Sequence, residues 1–287
     1  KEQWTWEETD DPFEKLNNSL STEIRTIGLD PKTTFNIYHK LQKTMPERKF
    51  VDAGNIISDL RSIKDEEEVK NLKKSSQKTG DIIINILNEL EVGVSEIEIQ
   101  QRLISQLKSD PTENAWASVQ FGENSAIPHY SASARELKTN DIVLIDAGTT
   151  YNDYWGDITI TCVFGQATEK FKKIFNIVLT ANQKAKEAIA KNEIPAIIDK
   201  TTRDYISSNG FGKYFTHRTG HGMGLEVHEE PYIVENNEIP LKIGNVFTIE
   251  PGIYLSGKFG VRAEDNIIKT EGGFWSTLFP REELIEL

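Results

Sequence analysis

Apolar side chains recur at helical spacing in several stretches of the chain. After DEEEV, residues Val69, Leu72, Ile83, Ile86, Leu87 and Leu90 share a stripe, and Asp65 with Glu68 forms a capping box at its start. Ser95 and Glu98 form a second capping box, opening a helix with Ile99, Leu103 and Leu107 on one side. Phe171, Ile174, Phe175 and Val178 follow the i, i+3, i+4, i+7 pattern, and a further helix is expected near 196–208. Before residue 60 the texture differs. TIGLD (26–30) reads as a strand, Asp30 and Pro31 as an N-cap with proline at the first helical position, and the helix runs to about Met45. KFVDAGNII reads as a second strand. The pattern predicts a small α/β lobe over residues 1–62 and a larger unit over 63–287, with the change falling between 60 and 65.

Alternating segments carry a second message. DIVLIDAG (141–148) resembles NVFTIEPG (245–252): a polar start, alternating apolar residues, an acid, a small residue or proline, then glycine. Each is expected to turn through a short hairpin into a second strand opening on an acid, GDITITCVFG (156–165) and AEDNIIKTEGG (263–273). The matching acids lie 104 and 107 positions apart (146 to 250, 157 to 264), and two helical segments precede each copy. Two copies do not make a solenoid. They predict a helix–helix–hairpin unit duplicated about a pseudo-twofold axis.

Composition narrows the class. Hydrophobic residues are 37% and charged residues 27% of 287, an ordinary globular mixture, and the net charge of −12 repels phosphate backbones, so no nucleic-acid partner is expected. The single cysteine, Cys162, excludes an intrachain disulfide or a thiolate metal cluster and fits a reducing cytoplasm. Apolar runs such as IIINIL (82–87) are too short to cross a bilayer, so no membrane partner is expected either. Lys1 is not an initiator methionine, and further residues are expected upstream.

Three of five histidines sit in one stretch, HRTGHGMGLEVHEEP (217–231), with glycines at 220, 222 and 224. The i, i+4 spacing of His217 and His221 would suit a helix, but each glycine costs about 1 kcal/mol there relative to alanine, which predicts loop or strand with backbone pressed close to a neighbour. Strand alternation puts Asp157, Thr159 and Thr161 on one face and Ile158, Ile160 and Cys162 on the other. An acid at the inner end of each of four strands would gather Asp146, Asp157, Glu250 and Glu264 at the axis. A single strand-end carboxylate is usually a turn or capping residue. Four in register are a different matter, because they cannot all stay ionised without cations. With His221 they make an oxygen-rich set sufficient for two divalent ions such as Mn, Co, Fe or Zn.

The segments IDAGTTYNDYWGDIT, HRTGHGMGLEVHEEP, IEPGIY and VRAED resemble the metal motifs of the proline-specific pita-bread metallopeptidases, the prolidase and aminopeptidase P group, over roughly residues 65–287. The resemblance implies an α/β pita-bread catalytic domain behind a partial N-terminal lobe of creatinase type. It implies two divalent ions per chain, held by Asp146, Asp157, His221, Glu250 and Glu264. It further implies hydrolysis of Xaa-Pro bonds by a bridging hydroxide, with Glu250 moving the proton to the leaving nitrogen. By the same resemblance His129 and His228 hydrogen-bond the substrate, His217 helps wall the pocket, and Arg262 lies near the metals. A salt bridge from Arg262 to Asp146, or to another acid, and a direct substrate contact both stay open. His39 gets no role. The implied partners are small proline-containing peptides and a second copy of the chain.

Two positions depart from the group. Thr159-Ile160-Thr161 stands where many relatives read Thr-Arg-Thr, a charge lost from the face opposite the metals. Tyr232 stands where several short microbial prolidases carry the arginine that holds the dipeptide's terminal carboxylate. A dipeptidase of prolidase type is the favoured expectation. The alternatives are an aminopeptidase P acting on longer Xaa-Pro-Xaa peptides and a non-catalytic peptide-binding domain of the same fold.

Overall fold

The computed structural model describes residues 5–110, 114–277 and 283–287. The chain divides into two compact units, residues 1–61 and 62–287. In the first, α1 (Pro12–Ser19) is capped by Asp11, whose carboxylate accepts from the amides of Phe13 and Glu14. β1 (Thr26–Leu29) and β2 (Lys49–Asp52) pair in parallel, separated in sequence by α2 (Phe35–Thr44), and α3 (Gly54–Ser62) follows.

Two expectations for this region need correction. The helix after β1 does not begin at Pro31, because Asp30 accepts from the Lys32 amide in a turn and Thr34 caps the helix instead. Nor is KFVDAGNII a single strand. Asp52 accepts from the Gly54 amide at 2.7 Å, which ends β2 and starts α3 within that segment.

The second unit repeats one plan. α4 (Glu66–Leu87) and α5 (Glu96–Leu107), both opened by capping boxes, precede β3 (Ala115–Phe121), β4 (Asp141–Tyr151) and β5 (Tyr154–Phe164). These strands form an antiparallel sheet in the order β3-β4-β5. Then α6 (Glu169–Lys191) and α7 (Pro195–Ser208) precede β6 (Gly220–Gly222), β7 (Glu229–Ile233), β8 (Val246–Ile249), β9 (Gly252–Leu255), β10 (Phe259–Arg262), β11 (Asp265–Thr270) and β12 (Gly273–Ser276). A five-stranded sheet runs β12-β11-β8-β6-β7, and β9 pairs with β10 apart from it.

Each helix pair buries its apolar stripe on a sheet. Ile83, Ile86, Ile99 and Leu103 pack with Ile145, Ala147, Ile158 and Ile160, while Phe171, Ile174 and Val178 pack with Ile253 and Val261. Ile160, at the position of the lost charge, is therefore a core residue, and full burial of such a side chain contributes roughly 1.5–3 kcal/mol. The opposite face of β5 carries Asp157, Thr159 and Thr161, and this polar face is where the acids meet.

The duplication differs from the expected hairpins in one respect. β8 and β11 pair directly, with Ile249 opposite Asp265, but β9 and β10 intervene in the sequence. Pro251 has no N–H for a ladder bond, and the chain leaves the sheet there. Glu250 and Glu264 consequently occupy breaks between strands. Asp146 and Asp157, by contrast, lie inside 11-residue strands rather than at their ends.

Candidate metal centre

Asp146 lies opposite Thr159 across the β4–β5 ladder and Asp157 opposite Gly148, so the two aspartates are diagonal neighbours on one face. The Thr159 hydroxyl lies 3.0 Å from Asp146 Oδ1 and 2.7 Å from Glu264 Oε2, bridging the two repeats. The breaks holding the glutamates are supported by α6. Asn182 Nδ2 donates to the carbonyls of Ile249 and Ala263, at 3.0 and 3.3 Å, each the residue before a glutamate.

His221 comes from β6, which is squeezed between β7 and β8. A Cβ on Gly220 would stand 1.9 Å from the Thr248 carbonyl oxygen, and one on Gly222 2.3 Å from the Glu230 backbone. Only glycine permits that approach, which accounts for the punctuation of the histidine run.

His221 Nδ1 faces the Gly222 carbonyl at 3.1 Å. A carbonyl only accepts, so Nδ1 carries the proton and the lone pair is on Nε2. That nitrogen lies 3.7 Å from Asp157 Oδ2 and 3.5 Å from Glu250 Oε1. Ligand atoms of Asp157, His221 and Glu264 fall within 4.8 Å of one another. Burial, reinforced by the neighbouring His228 ring, drives His221 down to about 3, so the imidazole is neutral, the form that ligates metals. Burial and then the charge of Glu264 push Asp157 and Glu250 well above the usual carboxylate range. Asp157 Oδ1 is buried with no hydrogen-bond partner. A lone pair aimed at carboxylate oxygens, beside an orphaned oxygen, is a set of acceptors without a donor. Divalent cations fit it, and the absence of sulfur suits the harder ones.

A chain of hydrogen bonds supports the acids from one side. Arg262, 3% exposed, donates to Asp146 Oδ2 at 2.5 Å, to Thr159 at 3.0 Å and to the Tyr254 hydroxyl at 3.0 Å. Burial opposes its charge, yet Tyr254 and the surrounding carboxylates outweigh that and raise its pKa. His217 Nδ1 is bonded to the Arg218 carbonyl, so Nε2 accepts from Tyr254 at 2.8 Å. Burial, then the charge of Arg262, lowers His217 to about 4. Arg262 thus forms the salt bridge to Asp146.

Asp146, Asp157, Glu264 and His221 open onto a cavity of about 510 Å³, whose wall includes Trp116, His129, Tyr130 and His228. His217 is not part of that wall; it reaches the centre through Tyr254. The His129 loop is tied down by Glu96, a fully buried carboxylate accepting from the amides of Phe121 and Ser133, the Ser133 hydroxyl and the Asn124 side chain. Tyr254, Asn182 and Glu96 were missed by sequence reasoning. Tyr254 lies in the quoted IEPGIY motif and was a findable signal. Asn182 and Glu96 sit on helices with only their polar character on a buried stripe to mark them.

Residues 70–271 match metallopeptidase family M24, and residues 2–63 match the creatinase/prolidase N-terminal domain. The chain is 34% identical over 286 residues to a Xaa-Pro dipeptidase of Pyrococcus horikoshii, covering 97% of this chain and 82% of that protein. Its fold matches a Xaa-Pro dipeptidase from Bacillus anthracis with TM-score 0.91 and 34% identity, over 97% of this chain and 79% of that one. An X-Pro aminopeptidase from Thermotoga maritima matches with TM-score 0.88 and 32% identity, over 96% and 80%. With two polar sheet faces meeting over one acid cluster and both regions of the chain matched, the protein is an enzyme of metallopeptidase family M24, in its pita-bread prolidase and aminopeptidase P group.

Proposed function

We propose that the protein is a Xaa-Pro dipeptidase of prolidase type, using two divalent ions (Mn, Co or Zn) held by Asp146, Asp157, His221, Glu250 and Glu264. The observation that carries this reading is the neutral His221 lone pair turned toward Asp157 and Glu250 beside the cavity. The Xaa-Pro dipeptidases among its relatives point to the substrate class.

When bound, such a pair of ions supplies a water of lowered pKa and polarises the scissile carbonyl. The protein's own groups do the rest. Glu250 takes a proton from the attacking water and delivers it to the leaving imino nitrogen, as a positioned carboxylate can. His129 and His228, in the cavity wall, hydrogen-bond the substrate around the scissile carbonyl. Arg262 holds Asp146 in place and is held in turn by Tyr254 and His217. A Xaa-Pro amide nitrogen carries no hydrogen, so the site must select the proline ring by shape.

Parallel assays of Ala-Pro and Ala-Pro-Ala, with metal analysis, test the proposal. Preferred hydrolysis of the dipeptide and about two ions per chain are expected. Preference for the tripeptide would make it an aminopeptidase P, and a metal-loaded protein that cleaves neither would be a peptide-binding domain. Among the described residues no helix is long and apolar enough to cross a membrane. A cytoplasmic location and a homodimer belong to the same proposal, checked by fractionation and by mass in solution.

A further inference from the structure

We infer that Arg218 binds the C-terminal carboxylate of the substrate, an assignment that rests on the dipeptidase reading above. A Xaa-Pro dipeptide presents a carboxylate next to its proline ring, and taking that charge into a cavity is costly without a cation to meet it.

The other cations in this unit that could serve already hold acids. Arg262 is bonded to Asp146, Arg203 grips Asp199, Lys64 pairs with Glu229 and Lys186 with Asp265. Arg218 differs. It is half-buried, its Nε is buried without an acceptor, and among the described residues it forms no ion pair.

Its guanidinium lies over the ring of Tyr232, 4.8 Å from the centroid. The β6–β7 ladder brings the two together, because the Thr219 amide donates to the Ile233 carbonyl and Gly220 pairs with Ile233. Stacking orients the guanidinium plane while leaving its N–H edge available, and that edge grips a carboxylate bidentately. Arg218 directly follows His217, whose ring is bonded to the Arg218 carbonyl, and precedes His221 by three residues. Its charge is among the influences on Glu250, His221 and His228, in each case after burial, which places it within electrostatic reach of the centre. Tyr232 therefore acts as a platform for the cation rather than as a ligand for the carboxylate.

The test compares Ala-Pro with Ala-Pro amide, which lacks the charge, in the metal-loaded wild type, Arg218→Met, Arg218→Gln and Tyr232→Leu. Metal content and thermal midpoint are measured for each. The wild type should prefer the free acid. Arg218→Met should raise KM for Ala-Pro about 10- to 100-fold, the range for a lost charge-assisted bond, and leave the amide unchanged. Tyr232→Leu should shift the same preference by less. L-proline, but not L-prolinamide, should raise the wild-type midpoint, and this protection should vanish in Arg218→Met. Should Arg218→Met fail to fold, Arg218→Gln carries the same expectations. Equal losses on both substrates, or an arginine variant that keeps the preference for the acid, would overturn the assignment of Arg218 alone. A wild type that cleaves neither substrate, or favours the amide, would overturn the dipeptidase reading itself.

Discussion

Asn182 offers a direct test of whether helix packing positions the two glutamates. It is 2% exposed, and its amide donates to the carbonyls of Ile249 and Ala263, one residue before Glu250 and Glu264. Asn182→Ala removes both bonds and leaves buried carbonyls short of a donor. A net bond contributes roughly 0.5–1.5 kcal/mol, and an abandoned buried acceptor costs about 1–3 kcal/mol, so a total near 2–4 kcal/mol is expected. The loosened glutamates should also weaken metal binding by about 10- to 100-fold, as changes behind a metal ligand typically do. Asn182→Asp is the sharper variant. It keeps the shape but sets a carboxylate against two carbonyl oxygens, and should cost at least as much. Urea unfolding followed by tryptophan fluorescence, with and without Mn²⁺, reads the first quantity, and calorimetric metal titration reads the second. An Asn182→Ala protein within about 0.5 kcal/mol of wild type, with unchanged metal affinity, would refute the reasoning.

Glu250→Gln should keep the fold while lowering kcat by about 10²- to 10⁴-fold, the usual worth of a positioned proton carrier; unchanged turnover would remove Glu250 from that role. Gly220→Ala should not yield a stable protein with an intact centre, because the new methyl meets the Thr248 carbonyl at 1.9 Å; a wild-type thermal midpoint would contradict the packing. Glu96→Gln replaces an acceptor facing the Ser133 amide with an NH₂ group and should raise KM by loosening the His129 loop, at a stability cost of about 1–3 kcal/mol. Stability of the metal-free protein should depend on pH in two ways. Asp157 and Glu250 are raised above their ordinary 3.8 and 4.5, so their contribution is present at low pH and lost as pH rises through their folded values. His217 and His221 are lowered from 6.5 to about 4 and about 3, so theirs is present above 6.5 and lost as pH falls toward those values. The two contributions have opposite sign, so the metal-free thermal midpoint should fall wherever the acids ionise beyond the range of the histidines, while bound metal should remove that fall; parallel curves would count against crowded carboxylates.

Much of the fold was legible one element at a time. Capping boxes at Asp65–Glu68 and Ser95–Glu98, apolar stripes and strand alternation are local codes, each set by backbone donors or by which face meets water. The internal repeat even placed four acids in register. Local signals misled where two readings compete within a few residues. Asp30 next to Pro31 can cap a helix or hold a turn, and Asp52 can continue a strand or end it. What only the tertiary structure decided is how distant segments answer one another's unsatisfied groups. Pro251 breaks β8, and Asn182 donates to the carbonyl of Ile249 beside that break, 67 positions along the chain. The proton on His221 is placed by its neighbour's carbonyl, and Arg262 is turned to Asp146 by Thr159 and Tyr254. Periodicity records whether a side chain is buried, but not which polar atom it will meet. That choice depends on three-dimensional closure of the two repeats, where an acceptor without a donor becomes visible.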